Sequence, residues 1–127
     1  MKPIRVLLVE DDELTRKTVK EALINEGLDV EFDTGKVVEA IEFAKKYQPE
    51  VAVLDYNLGS GPNGIDLANK LRNLNDSIGI VLLTAFLNPT QLPMQIAKLP
   101  PKSRYLIKHS VSEIQVLLDE INLALIK

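Results

Sequence analysis

The feature that most constrains this fold is a regular alternation of short apolar runs with longer amphipathic segments. Strands are predicted over residues 4–9, 30–33, 51–54, 78–83 and 104–107, and the continuous apolar run of 4–9 is of the kind that a sheet buries on both faces. Helical spacing predicts helices over 13–26, 36–47 and about 65–74, a short or interrupted helix within 88–101, and a last helix after the Ser110 and Glu113 capping box. Strands and helices in alternation, with short connections, predict a parallel sheet with right-handed crossovers and helices on both of its faces.

Length and composition exclude several classes of protein. The 127 residues suit one domain spanning 1–127, since compact domains cluster at about 100–150 residues. The chain has no cysteine and one histidine, which excludes a disulfide scaffold, a thiolate nucleophile and a multi-histidine metal centre. A net charge of −3 argues against direct nucleic-acid binding. Without an apolar stretch of membrane-spanning length or a signal peptide, we expect a cytoplasmic location and no membrane contact.

Polar residues follow four of the predicted strands directly. Glu10 and Asp11 follow the first strand, Asp55 the third, Thr84 the fourth and Lys108 the fifth. In open parallel sheets, ligands bind outside the carboxyl ends of the strands, so these side chains are expected to share one site. Carboxylates that converge there would repel one another, and Mg²⁺ with its oxygen ligands would relieve that repulsion. An Asp nucleophile, a metal ion, a lysine and a hydroxyl are together the groups needed to form an aspartyl phosphate.

The same region lacks the signature of a nucleotide cofactor. No Gly-rich fingerprint follows the first strand, and the helix that starts there already carries acidic residues. A flavin or dinucleotide at this turn is therefore disfavoured. Asp12 and Glu13 are assigned to the helix start, where acidic residues complement the helix dipole.

Four motifs in order resemble the response-regulator receiver domains of bacterial two-component signalling, over essentially the whole chain. They are Val9-Glu10-Asp11, Asp55-Tyr56-Asn57-Leu58, Thr84-Ala85 and Tyr105-Leu106-Ile107-Lys108. Each motif alone is weakly specific, whereas all four in order at strand ends are highly specific. The resemblance implies a flavodoxin-like, doubly wound α/β fold with five parallel strands in the order 2-1-3-4-5 and helices on both faces. The prolines of residues 88–101 make the fourth helix atypical.

The resemblance also implies a phosphoacceptor and a metal site. Asp55 would accept a phosphoryl group from the phosphohistidine of a sensor histidine kinase or of a histidine phosphotransfer protein. Asp11 would bind Mg²⁺ directly, Glu10 would bind it through water, and Asn57 would supply its backbone carbonyl. Such a chain catalyses its own phosphorylation and dephosphorylation and is not a free-standing metabolic enzyme.

A switch is implied as well. Lys108 would pair with the phosphoryl oxygens, and Thr84 would move to hydrogen-bond them. Tyr105 would then turn inward, and a downstream effector domain or protein would bind the changed surface. A phosphoryl group adds a charge of about −1.5 to −2, which is enough to bias such a two-state element.

The sequence departs from the family pattern in three places. His109 stands where the family usually has proline after a cis bond; a non-proline cis bond costs about 2.5–4 kcal/mol, so a trans bond and a displaced Lys108 loop are predicted. Gly59 stands where the family often has proline. Pro89, Pro93, Pro100 and Pro101 fall in the segment of the fourth helix, so Pro93 should interrupt or kink it, and output through that face is expected to be altered or absent.

Two alternatives remain at this point. A phosphorylation-independent receiver-like interaction module would keep the fold as a docking surface; the intact acidic residues argue against it, while His109 and the prolines favour it. A Mg²⁺-dependent phosphatase with an Asp nucleophile is disfavoured, because its Asp-x-Asp motif is not present after the first strand. Val116 and Leu123 could mark a homodimer contact, and an output domain after residue 127 stays open.

Overall fold

The computed structural model describes residues 2–59, 63–85, 91–107 and 114–126, in which strands and helices alternate along the chain. The strands are β1 (Arg5–Val9), β2 (Asp29–Thr34), β3 (Val51–Asp55), β4 (Gly79–Thr84) and β5 (Arg104–Ile107). The helices are α1 (Glu13–Asn25), α2 (Val37–Tyr47), α3 (Gly64–Leu74), α4 (Gln91–Ile96) and α5 (Ile114–Ala124). The strands pair in parallel in the order β2-β1-β3-β4-β5, which confirms the predicted fold class and strand order.

The three central strands, β1, β3 and β4, are buried on both faces of the sheet because their successive residues point into two different apolar cores. The core under α2 and α3 includes Leu7, Val9, Leu54, Ile80 and Leu82. The core under α1 and α5 includes Val6, Leu8, Val53, Val81 and Leu83. The continuous apolar runs of the sequence are the consequence of this two-sided burial.

The first helix begins where the strand-end acids predict it. Asp12 is the N-cap residue of α1, and its carboxylate accepts a hydrogen bond from the Thr15 amide at 2.8 Å. Glu13 lies in the first turn. This local role, predicted for both residues, separates them from Glu10 and Asp11, which precede the helix.

The fourth helix is short, as predicted. It has six residues, and Pro93 is the third of them, in the first turn, where an N–H has no partner within the helix. The Pro93 carbonyl accepts a hydrogen bond from the Ala97 amide at 3.1 Å, so proline breaks no bond of this helix. Pro89 and the other residues of 86–90 lie outside the described residues.

The last helix packs one apolar stripe on the sheet. Leu117 and Ile121 are buried, whereas Val116 is partly buried and Leu123 is 44% exposed. The predicted capping box at Ser110 and Glu113 lies outside the described residues. None of the helices in the described part of the chain has the length and apolar character needed to cross a membrane.

The start of α3 packs directly on the end of β3, and this contact requires glycine. A Cβ atom added to Gly64 would lie 2.2 Å from the Asp55 carbonyl oxygen and 2.9 Å from Cδ1 of Leu82. Gly64→Ala should therefore lower the free energy of unfolding by about 1–3 kcal/mol, because the helix must move off the strand. Lys70→Ala, at an exposed position of the same helix, should change it by less than about 0.5 kcal/mol. Urea unfolding measures both, and equal stability of the two variants would contradict this packing.

Candidate functional site

Parallel pairing brings two acidic side chains together at the carboxyl edge of the sheet. Val9 of β1 pairs with Leu54 of β3, so the next residues, Glu10 and Asp55, lie side by side. Both are buried, with 1% of Glu10 and 3% of Asp55 exposed. We call Glu10, Asp55 and the adjoining Asp11 the acidic edge.

Glu10 is fixed through both its main chain and its side chain. Its amide donates to the Thr34 carbonyl at 3.0 Å, which extends the pairing of β1 with β2 by one bond. Its Oε1 accepts from the Asp12 amide at 3.2 Å. The buried carboxylate thus stabilises the turn that leads from β1 into α1.

Asp11 differs from its neighbour because it is exposed. Its carboxylate lies beneath Gly59, where an added Cβ atom would be 3.9 Å from Oδ1 of Asp11. Gly59 has φ +84°, a conformation closed to proline, so the glycine found at this family proline position has a structural reason. The Asp11 carboxylate therefore faces a residue without a side chain.

Thr84 continues the same edge at the end of β4. It follows Leu83, the β4 partner of Asp55, and it is buried, with 1% exposed. Its hydroxyl donates to the Ala85 carbonyl at 2.9 Å. On the neighbouring strand, Tyr105 pairs with Leu82 and is 44% exposed, so this ring lies outward.

The remaining predicted residues are placed in part. Asn57 is exposed, and its amide donates a long hydrogen bond of 3.4 Å to Oδ1 of Asp55. Ile107, at the end of β5, pairs with Thr84. Lys108 and His109, with the predicted trans bond between them, lie outside the described residues.

The donor groups at the acidic edge suit Mg²⁺. They are oxygen donors, one carboxylate is exposed beneath a residue without a side chain, and a second is buried beside it. Among the residues that the structure describes, no three acidic or histidine side chains are placed to bind a single ion together. Two direct carboxylates with waters and a main-chain oxygen are sufficient for this ion, since Mg²⁺ usually retains several waters.

One charged group at this edge was missed in the sequence. Arg16 of α1 donates from Nη1 to the Glu10 carbonyl at 3.0 Å and from Nε to Oδ2 of Asp33 at 3.2 Å. Lys20, one turn later, donates to Oδ1 of Asp33 at 2.8 Å. The available signal in the sequence was the i, i+4 spacing of Arg16 and Lys20, together with Asp33 near the end of β2. The same spacing is also typical of an ordinary solvated helix face.

Comparisons with known proteins agree with this geometry. The family model described as the response regulator receiver domain matches residues 6–110. The transcriptional regulatory protein PdtaR of Mycobacterium tuberculosis is 34% identical over 84 residues, which is 66% of this chain and 40% of that protein. The nitrate/nitrite response regulator protein NarP of Escherichia coli is 32% identical over 83 residues, 65% of this chain and 38% of that protein. The matched regions thus span less than half of the length of these curated relatives.

Solved structures share the fold. The signal receiver domain of the putative response regulator NarL from Mycobacterium tuberculosis has a TM-score of 0.78 and 24% identity, with 96% of this chain and 98% of that chain covered. A response regulator receiver protein from Sinorhizobium medicae has a TM-score of 0.81 and 20% identity, with 97% and 95% covered.

A divalent cation at the acidic edge should stabilise the fold. A ligand that binds only the folded chain adds about 2.7 kcal/mol at a hundred times its Kd, so Mg²⁺ should raise the free energy of unfolding measured in urea. Asp11→Asn should remove most of this increment. Glu13→Gln, which removes the next acid along in the first turn of α1, should leave it intact. An equal response of both variants to Mg²⁺ would place the ion elsewhere.

Proposed function

This chain belongs to the response-regulator receiver domain family of two-component signalling, and on that basis we propose that it accepts a phosphoryl group on Asp55 in a Mg²⁺-dependent reaction. The observation that carries the proposal is the burial of Asp55 beside Glu10 at the carboxyl end of β3. Buried acidic side chains side by side at the carboxyl end of a parallel sheet are typical of functional sites, so this arrangement favours a role in binding and transfer.

In the proposed transfer, a carboxylate oxygen of Asp55 forms a bond to phosphorus. The bond between phosphorus and the imidazole nitrogen of the donor's phosphohistidine breaks, and its electron pair goes to that nitrogen. The main-chain amide of Asn57 lies against Oδ1 of Asp55 at 3.4 Å and helps to orient the carboxylate. Because Asp55 is buried at the end of β3, few water molecules can reach its carboxylate.

The acidic edge would provide the metal ligands. Asp11, Asp55 and the backbone carbonyl of Asn57 would bind Mg²⁺ directly, and Glu10 would bind it through water. When bound, the ion supplies positive charge that offsets the charge of the transferring phosphoryl oxygens. Lys108, which follows β5 in the sequence, would add a second positive charge.

Thr84 and Tyr105 would convert the new charge into a change of surface. The Thr84 hydroxyl would leave the Ala85 carbonyl and donate to a phosphoryl oxygen, since charged acceptors form stronger hydrogen bonds than neutral ones. That movement would vacate space beside β5, and the outward Tyr105 ring would turn into it.

The proposed partners follow from this chemistry. A sensor histidine kinase or a histidine phosphotransfer protein would donate the phosphoryl group, and an effector domain or protein would bind the changed surface. The chain itself would act in the cytoplasm without binding nucleic acid directly, although PdtaR is a transcriptional regulatory protein. Val116 and Leu123 of α5 would be the first candidates for a homodimer contact.

Intact mass measurement tests the phosphoacceptor. Incubation with Mg²⁺ and acetyl phosphate, or with a phosphorylated kinase, should add one phosphoryl group that is stable in acid and released by hydroxylamine. Asp55→Asn should abolish the adduct, because an amide cannot form the acyl phosphate. Asp119→Asn, at an exposed site on α5, is the matched control and should react like the unaltered chain. No adduct from either donor would favour the phosphorylation-independent module, and an adduct that survives Asp55→Asn would reject this phosphoacceptor.

Thr84→Val tests the switch without removing the acceptor. Valine keeps the shape of threonine but cannot donate to a phosphoryl oxygen, so Asp55 should still be phosphorylated while the response of Tyr105 is lost. Fluorine-19 NMR of the chain containing 3-fluorotyrosine measures this, with the signal assigned by Tyr105→Phe. A phosphorylation-dependent shift of equal size in Thr84→Val and in the unaltered chain would contradict the proposed coupling.

A further inference from the structure

The side chain of Arg16 joins a main-chain carbonyl of the acidic edge to a carboxylate of the neighbouring strand. Its Nη1 donates to the Glu10 carbonyl at 3.0 Å, and its Nε donates to Asp33 at 3.2 Å. Only 22% of the Arg16 side chain and 24% of the Asp33 side chain are exposed. The guanidinium is therefore packed between α1 and the end of β2 rather than extended into solvent.

The hydrogen bond from Arg16 to the Glu10 carbonyl takes the place of a backbone hydrogen bond between β1 and the chain after β2. In a parallel ladder, a residue that donates to one carbonyl of its neighbour accepts from the amide two residues further along. The Glu10 amide donates to the Thr34 carbonyl, so in a continued ladder the Lys36 amide would donate to the Glu10 carbonyl. That amide instead donates to Oγ1 of Thr34 at 3.1 Å, because the chain turns into α2. Arg16 instead donates to the Glu10 carbonyl, which is the acceptor that a continued pairing of β1 with β2 would use.

Gly35 provides the space in which the Arg16 side chain reaches the Glu10 carbonyl. A Cβ atom added there would lie 3.0 Å from Nη1 of Arg16, 3.3 Å from the Glu10 carbonyl oxygen and 3.5 Å from Cα of Asp11. Any side chain at position 35 would press on both partners of the bond. The need for glycine here comes from this close approach of the guanidinium to the main chain.

The orientation of the Asp11 side chain depends on the Glu10 carbonyl. The Glu10 carbonyl belongs to the peptide plane that ends at Cα of Asp11, and the peptide bond makes that plane rigid. On the other side of Asp11, the Asp12 amide donates to Oε1 of Glu10 at 3.2 Å. The direction in which the Asp11 carboxylate leaves the chain is thus set by hydrogen bonds on both sides of the residue.

Asp33 prevents the arginine from acting as a counter-ion of the acidic edge. An unpaired guanidinium would be attracted to the exposed Asp11 carboxylate and would compete there with a metal ion. Nε of Arg16 and Nζ of Lys20 instead occupy the two oxygens of Asp33. Arg16 therefore supports the main chain, while its charge is offset by Asp33.

We propose that Arg16 is a positioning residue of the metal site, which orients the Asp11 carboxylate for Mg²⁺ through the Glu10 carbonyl, with Gly35 leaving room for the contact. The inference rests on the Mg²⁺ site of the proposed function. Arg16 touches neither the ion nor the phosphoryl group, so it acts on the affinity for the metal. The rate of transfer once the metal is bound depends on other groups.

Metal binding without any phosphodonor tests the proposal directly. Mn²⁺ replaces Mg²⁺ as the probe, and the electron paramagnetic resonance signal of free Mn²⁺ gives the dissociation constant; competition with Mg²⁺ confirms that both share the site. Arg16→Ala should weaken binding by about 10- to 100-fold, the usual loss when a group supporting a metal ligand is removed. Gly35→Ala should also weaken it, although the arginine is retained. Arg16→Lys should fall between Arg16→Ala and the unaltered chain, since an ammonium can reach one partner but lacks the planar fork.

Lys20→Ala is the matched control. It removes the other cation from Asp33 but makes no contact with Glu10, so its dissociation constant for Mn²⁺ should equal that of the unaltered chain. Urea unfolding identifies any variant that does not fold, and Gly35→Ala and Arg16→Lys then decide the question. In acetyl phosphate reactions, Arg16→Ala should need more Mg²⁺ for half-maximal phosphorylation of Asp55 but should reach the same rate at saturation.

The outcomes separate this inference from the proposed function. Equal Mn²⁺ affinity in Arg16→Ala, Gly35→Ala and the unaltered chain would overturn the positioning role, whether or not Asp55 is phosphorylated. An equal loss of Mn²⁺ affinity in Arg16→Ala and Lys20→Ala would show that the loss comes from surface charge alone, and it would also overturn the positioning role. Weakened metal binding in Arg16→Ala, with no adduct on Asp55 of the unaltered chain, would support the inference while rejecting the phosphoacceptor. An unaltered chain with no affinity for either ion would overturn both.

Discussion

Repulsion between carboxylates at the end of a parallel sheet is the constraint on which this site depends. The pairing of β1 with β3 sets Glu10 beside Asp55 with almost no access to water. Buried charges of like sign cost free energy, so such an arrangement persists only where the rest of the fold stabilises it. Here the apolar cores on both faces of the sheet supply that stability.

The same edge has the groups needed for a two-state response. Thr84 is buried and satisfies its hydroxyl on the carbonyl of the next residue, a bond that a charged acceptor can replace. Tyr105 lies on the neighbouring strand with 44% of its surface exposed. The short α4, with Pro93 in its first turn, is the next described helix after β4. The proposed phosphoryl group on Asp55 would thus act close to the surface around Tyr105.

Much of this protein could be predicted from its sequence because the determining patterns are local. Runs such as 51–54 and 78–83 are apolar at every position, which requires a strand buried on both faces. Parallel strands end at one edge, so the placement of Asp55 and Thr84 at a common site followed from the order of the elements alone. The N-cap role of Asp12 likewise needed only its neighbours in sequence, since the Thr15 amide is three residues away.

The sequence by itself therefore determined the fold class, the strand order that the family resemblance implies, and the acids at the strand ends. Tertiary structure alone decided how those acids are oriented and how far each is exposed. The role of Arg16 depends on residues 6 and 17 positions away, and it requires the chain to turn after Thr34, where the Lys36 amide donates to Oγ1 of Thr34. The contribution of Gly35 could not be predicted from the sequence either. It has no Cβ atom where the Arg16 guanidinium meets the main chain of Glu10. Such contacts join segments distant in sequence, and no periodicity within either segment records them.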